Sequence, residues 1–202
     1  MKRQQIFSLA LATFVILAGA VMAISGKSGD VSMAPAIGAT VEDFTLPDTD
    51  GKDHTLSSLK GKNGSVLIFI SVQCPISNAY NERMEKLAED YGARGISVIG
   101  INSNATEPAD KVKAHAAEKH LSFAILKDPG NKIADRLGAE HTPEAYYLDA
   151  NNRLLYHGRI DNSTNPAQVE TNDLREALDS ALAGKPIKKA TSLAFGCSIK
   201  RA

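Results

Sequence analysis

Along this 202-residue chain the apolar positions change period several times, and each change marks an element. Residues 65–72 (SVLIFISV) form a nearly unbroken run of apolar and β-branched side chains, which predicts a strand covered on both faces. Just after it, Ile76, Tyr80, Met84, Leu87, Ala88 and Tyr91 recur at steps of three and four. That spacing predicts a helix with one apolar face, opened by Pro75 and ended by Gly92. Residues 96–101 predict a second buried strand, 109–119 a second helix, 123–126 a third strand and 132–137 a short helix. His141-Thr142-Pro143 then precedes a strand over 145–148, and a turn at 150–152 leads to its antiparallel partner over 154–160. A last helix over 173–183 has Asn172 as its expected cap, with Gly184 and Pro186 past its end. Ahead of all these, residues 44–46 and 54–56 flank Asp48-Thr49-Asp50-Gly51, predicting a short hairpin.

The order βαβαβα followed by ββα builds a parallel core by right-handed crossovers and adds antiparallel strands from the final hairpin. An α/β domain with a mixed central sheet, helices on both faces and an N-terminal hairpin extension is the expected architecture. Lys and Arg total 23 and so do Asp and Glu, so charge favours neither nucleic acid nor an acidic surface as a partner. The N-terminus stands apart: Lys2 and Arg3 precede an uncharged, mostly apolar run over 6–24. A cleaved signal and an uncleaved anchor both fit that run, and both put the domain outside the cytoplasm, in the periplasm or held at the membrane. The expected organisation is a signal or anchor over 1–24, a flexible linker over 25–39, a domain over 40–185 and a tail over 186–202.

Only two cysteines are present, Cys74 and Cys197, and their separation excludes a zinc knuckle. Cys74 stands where the first long strand gives way to a helix, a place where free N–H groups stabilise a thiolate. A small buried hydrophobe is the bland alternative for such a cysteine. Cys197 lies about 14 residues past the last helix, so an extended tail reaches some 46 Å, enough to fold back over the domain. A resolving thiol, a static disulfide and a free thiol are all open for it. The histidines show no ligand spacing: His54, His115, His120 and His157 read as surface residues, while His141 lies close to Pro143. A Cu(I) site from Cys74, Cys197 and His141 is a weaker alternative. Glu82, Arg83, Glu85, Lys86, Glu89 and Asp90 read as the solvated side of the first helix, and Asp128-Pro129-Gly130 as a turn.

Five short stretches carry a resemblance: Cys74-Pro75-Ile76-Ser77-Asn78, Gly100-Ile101-Asn102-Ser103-Asn104, Thr142-Pro143-Glu144, Gly158-Arg159-Ile160-Asp161 and Gly196-Cys197-Ser198-Ile199-Lys200. In this order they resemble the AhpC/TSA, peroxiredoxin-like branch of the thioredoxin superfamily. The resemblance implies a thioredoxin fold and an antioxidant oxidoreductase working through Cys74, without a cofactor or metal. Its substrate would be a thiol or disulfide protein or a peroxide, with a separate thiol as reductant. It also implies a cis Pro143 facing the cysteine, with Thr142 offering its backbone to an extended substrate. Two departures bear on the chemistry. Ser71 replaces the first cysteine of the CxxC that relatives often carry. Of the groups that orient a peroxide, Ser71 can fill the hydroxyl role, but Leu67 and Pro143 stand where a proline and an arginine are found, leaving Arg159 as a substitute.

Overall fold

The strand Ser65–Phe69 (β3) explains the layering, because all five of its residues are buried. Side chains alternate across a strand, so Val66 and Ile68 enter one apolar cluster while Leu67 and Phe69 enter another. The structure is a computed structural model that describes residues 34–202. Before β3 come the hairpin Thr45–Pro47 (β1) and Asp53–Thr55 (β2) and a helical turn, Leu56–Leu59 (α1). After it come Pro75–Asn78 (α2), Asn81–Gly92 (α3), Ser97–Asn102 (β4), Ala109–Glu118 (α4), Ala124–Lys127 (β5) and Lys132–Leu137 (α5). The chain continues through His141–Thr142 (β6), Glu144–Leu148 (β7), Leu154–Gly158 (β8), Asp173–Leu182 (α6) and Cys197–Ser198 (β9).

The main sheet has the order β5-β4-β3-β7-β8. β3, β4 and β5 run parallel, whereas β7 is antiparallel to β3 and to β8. This is the thioredoxin arrangement expected from the element order. Met84, Leu87 and Tyr91 of α3, Val112 of α4 and Leu174, Ala177 and Leu178 of α6 cover one face. Ile133, Ala134 and Leu137 of α5 cover the other, with Phe44, Leu46 and Leu56 from the N-terminal hairpin region and Ile199 from the tail. Truncating a fully buried member such as Phe69 to alanine costs about 3–5 kcal/mol.

Several local expectations change. The helix predicted from residue 76 is broken in two, because Tyr80 (φ −101°, ψ −3°) interrupts it while keeping its ring on the apolar face. Asn172 precedes α6 without a side-chain cap; Asp173 and Glu176 supply negative charge to the first turn instead. Asp128 is buried, and its carboxylate accepts from Ile133 N–H, Ala134 N–H and the Ser103 hydroxyl, so it anchors α5 rather than merely turning the chain. The expected export segment over 1–24 and most of the expected linker lie outside the described residues. At the linker's end, Gly38 N–H donates to Leu154 O at 2.7 Å. Among the described residues, no helix is long and apolar enough to cross a membrane.

Candidate active site

Cys74 is only 2% exposed and sits in the link between β3 and α3. It caps α2, and its sulfur accepts the Ser77 N–H at 3.3 Å. Ser71 holds the loop from behind: its hydroxyl accepts the Cys74 N–H at 3.1 Å and donates to Glu107 at 2.6 Å. Glu107 is itself buried and accepts from Val72 N–H, Gln73 N–H and, at 2.5 Å, the Asn102 side chain. Behind them the Lys127 ammonium donates to Asn102 and to Glu107 O. Burial works against the Glu107 carboxylate, but the bonds from Ser71, Asn102 and the two amides outweigh it and hold its pKa below the ordinary value. Burial pushes the Lys127 pKa down.

The Thr142-Pro143 bond is cis, as the resemblance implies. It turns the Thr142 carbonyl toward Cys74, whose thiol donates to it at 3.2 Å. Glu144 secures the next turn: its buried carboxylate accepts Glu140 N–H and His141 N–H at 2.8 Å, the Tyr146 hydroxyl at 2.9 Å and His157 Nε2 at 2.6 Å. Burial would raise the Glu144 pKa, but the His157 and backbone bonds hold it below the ordinary range.

The tail folds back over the domain. It bonds to β8 through His157 N–H to Ala190 O at 3.0 Å and Ser192 N–H to His157 O at 3.1 Å. Phe195 then meets the Tyr80 ring edge-on. β9 next pairs antiparallel with β6, with Cys197 opposite Thr142. Since Thr142 O also accepts from Cys74, that register sets Cys197 beside Cys74 in the lining of one cavity. Burial alone would push the Cys74 thiol up, but interactions with the Cys197 thiol, the Thr142 side chain and the Ser77 and Cys197 amides bring its pKa below the ordinary value. While protonated, Cys74 donates to Thr142 O, an opposing bond; the larger set of donors to sulfur favours the thiolate. The Cys197 thiol moves the other way, first because it donates to Cys74 and then because of burial. The pair is therefore unequal, with the Cys74 thiol the more acidic and the Cys197 thiol the less.

Cys74, Cys197, Ser71, Thr142 and Pro143 thus meet at one place. Ser71 does so as a holder of the loop, since its hydroxyl bonds to Glu107 and to the Gln73 and Cys74 amides and its N–H donates to the Ser77 hydroxyl. Arg159 is engaged elsewhere, donating to Asp173 at 2.7 Å and to Thr171. Among the described residues, no group of three or more His, Cys, Asp or Glu side chains gathers as a metal site. Arg83, read from sequence as solvated, instead stacks on Tyr80 at 3.7 Å and bonds to buried Asp161 at 2.7 Å. Glu107 and the Glu144–His157 pair were missed by sequence reasoning. For Glu107 the available signal was a polar stretch, Asn102 to Glu107, following directly on an apolar strand.

A cavity of about 180 Å³ opens beside the sulfurs, lined by Gln73, Cys74, Asn104, Cys197, Ser198 and Lys200 among others. A larger concavity, about 690 Å³, lies between α3 and the end of α4 and has no thiol in its lining. Four of its charged side chains pair with one another, Lys86 with Glu89 and Lys119 with Glu118.

The AhpC/TSA family matches residues 37–157. A thiol-disulfide oxidoreductase ResA from Geobacillus thermodenitrificans is 26% identical over 153 residues, covering 76% of this chain and 86% of that protein. A chloroplastic peroxiredoxin Q from Suaeda salsa is 30% identical over 146 residues, covering 68% of this chain and 64% of that protein. Among solved structures, a hypothetical protein from Sinorhizobium meliloti 1021 superposes with a TM-score of 0.76 at 33% identity, covering 85% of this chain and 97% of that one.

Proposed function

We propose that this chain, which belongs to the AhpC/TSA family and is a thiol–disulfide oxidoreductase, uses Cys74 as its attacking sulfur and Cys197 as its resolving sulfur. The observation that carries this reading is that β9 sets Cys197 opposite Thr142, whose carbonyl accepts from Cys74, so that both cysteines line one cavity beside the cis Thr142-Pro143 bond. The Cys74 thiolate attacks one sulfur of a substrate disulfide, forming a mixed disulfide and releasing the other sulfur as a thiolate. Cys197 then attacks the Cys74 sulfur. The Cys74–Cys197 disulfide forms, the second substrate sulfur leaves, and the Cys197 proton passes to it. Two electrons have moved from the protein to the substrate, and an external dithiol returns them. The missing CxxC partner is thus supplied from the other end of the chain.

Exchange is favoured over peroxide reduction because the Ser71 hydroxyl is spent on Glu107 and Arg159 on Asp173. The apolar run over 6–24 supports export, which would place this pair in a disulfide-permitting compartment. N-terminal analysis of the protein from soluble and membrane fractions tests that part. For the chemistry, the reduced protein is oxidised with one equivalent of a small disulfide and its peptides are mapped without reductant. A Cys74–Cys197 linkage is expected, with turnover lost in Cys74→Ser and a mixed disulfide trapped at Cys74 in Cys197→Ser. Full turnover by Cys74→Ser would overturn the reading.

A further inference from the structure

β6 presents the backbone of His141 and Thr142 as a short edge next to Cys74, and an exposed edge of this kind can take an extended chain as an added strand. Here that edge is taken. β9 lies along β6 with Cys197 opposite Thr142 and Ser198 opposite His141. The approach is so close that a Cβ on Gly196 would stand 2.0 Å from Thr142 O, so position 196 admits only glycine in this arrangement. Past the thiol the chain is tied on both sides. Ile199 N–H donates to Glu140 O at 2.9 Å, Lys200 N–H to Asn104 Oδ1 at 2.6 Å, and Ala105 N–H to Lys200 O at 2.8 Å. Ile199 is 5% exposed and belongs to the core, so this strand is not a loose end resting on the surface. The cavity beside the sulfurs stays open with the tail seated. Its 180 Å³ is about the share of six waters in the liquid, room for the sulfur arm of a small molecule but not for a polypeptide strand.

We propose that residues 196–200 are a built-in occupant of the strand-addition edge and gate substrate size. With the tail seated, Cys74 exchanges with low-molecular-weight disulfides through the cavity, and a protein disulfide reaches it only after the tail has left. The inference rests on the reading of Cys74 as the nucleophile and adds the substrate class. The chemical step is unchanged: the Cys74 thiolate forms one S–S bond, and the substrate's S–S bond breaks to release a thiolate.

The test uses the full chain carrying Cys197→Ser, in which the mixed disulfide at Cys74 accumulates. Its rate of formation is measured by acid quench and mass spectrometry with hydroxyethyl disulfide and with insulin, each divided by the rate of free glutathione with the same disulfide. Because insulin must wait for several backbone bonds to open, the normalised small-to-protein ratio is expected to be at least about 100. Adding Gly196→Val forces β9 off Thr142 and should lower that ratio at least about tenfold, through faster reaction with insulin. Hydrogen exchange at residues 197–199 should quicken in step. A ratio within about threefold of unity in Cys197→Ser alone would overturn the gate while leaving the thiol chemistry standing, and it does not depend on the valine variant folding. If neither disulfide marks Cys74, the nucleophile reading and the gate fall together.

Discussion

Two buried carboxylates flank Cys74, and they are held by different kinds of donor. Glu107 is bound by a hydroxyl, two backbone amides and a side-chain amide, all tied to the loop that carries Cys74 or the strand behind it. Glu144 is bound by two backbone amides, a phenol and an imidazole, and it fixes the turn that carries Thr142 and, through β6, the docked tail. Each has its pKa held below the ordinary carboxylate value against the pull of burial. The same device is thus used twice, once to shape the Cys74 loop and once to shape the surface on which β9 lies. The first holds its loop wholly through neutral groups, whereas the second depends in part on a histidine.

The largest expected effect comes from removing the first anchor. Glu107→Ala takes the carboxylate away from the Ser71 hydroxyl, two loop amides and the Asn102 side chain, of which only Gln73 N–H and Asn102 keep a second acceptor, at a cost of about 3–5 kcal/mol in a urea titration. Because Ser71 also holds the Cys74 N–H, iodoacetamide should modify Cys74 more slowly at neutral pH as its donors lose register. Unchanged stability together with an unchanged alkylation rate would mean that the loop holds itself. Glu144→Gln comes next, at about 2 kcal/mol, since an amide keeps the shape but returns only one acceptor oxygen. Its hydrogen-exchange change should fall on residues 140–142 and 197–199 and spare residues 71–74. If both variants loosened both regions equally, the two anchors would be one cooperative unit.

How much of this was legible in the sequence depended on the distance over which each cue acts. β3 was readable because its apolar run is unbroken, and Cys74 because strand end, thiol and Pro75 are adjacent. Pro143 stood out through the family resemblance, and Cys197 by the length of tail available to it. Glu107 and Glu144 were not readable as anchors. Glu107 finds its loop partners 34–36 positions away, and Glu144 finds His157 only because β7 and β8 pair. Arg83 shows the converse: helical spacing put it on an open face, and the loop holding Asp161 and Ser163 then folded over it. The Ser71 hydroxyl was visible, but the direction in which it donates was fixed by a residue from another element.

Acid separates these anchors from the rest of the molecule more gently. A carboxylate whose folded pKa is depressed contributes stability that is fully present above its unfolded value, 4.5 for both groups, and is lost as pH falls through the folded value. Urea midpoints taken from about pH 7 down to about pH 3 should therefore fall most steeply below the unfolded value. The fall should be shallower in Glu107→Gln and in Glu144→Gln. A variant curve parallel to the parent's would show that the altered carboxylate is not linked to folding in that window.

The smallest effect isolates the imidazole, where the two anchors differ. His157 both bonds Glu144 and stacks on Tyr146, with centroids 4.2 Å apart and planes 14° from parallel. His157→Phe keeps a ring for the stack and deletes only the nitrogen donor, so about 1 kcal/mol should be lost. Glu144 retains the Tyr146 hydroxyl and both backbone amides, which is why the loss stays well short of that for Glu144→Gln. The backbone of His157 also holds the tail at Ala190 and Ser192, and those bonds survive the substitution. Exchange should therefore quicken at residues 140–142 before it does at 190–192. The opposite order would mean that His157 serves the tail through its side chain, and Glu144 would then be anchored by its hydroxyl and amide donors alone, just as Glu107 is.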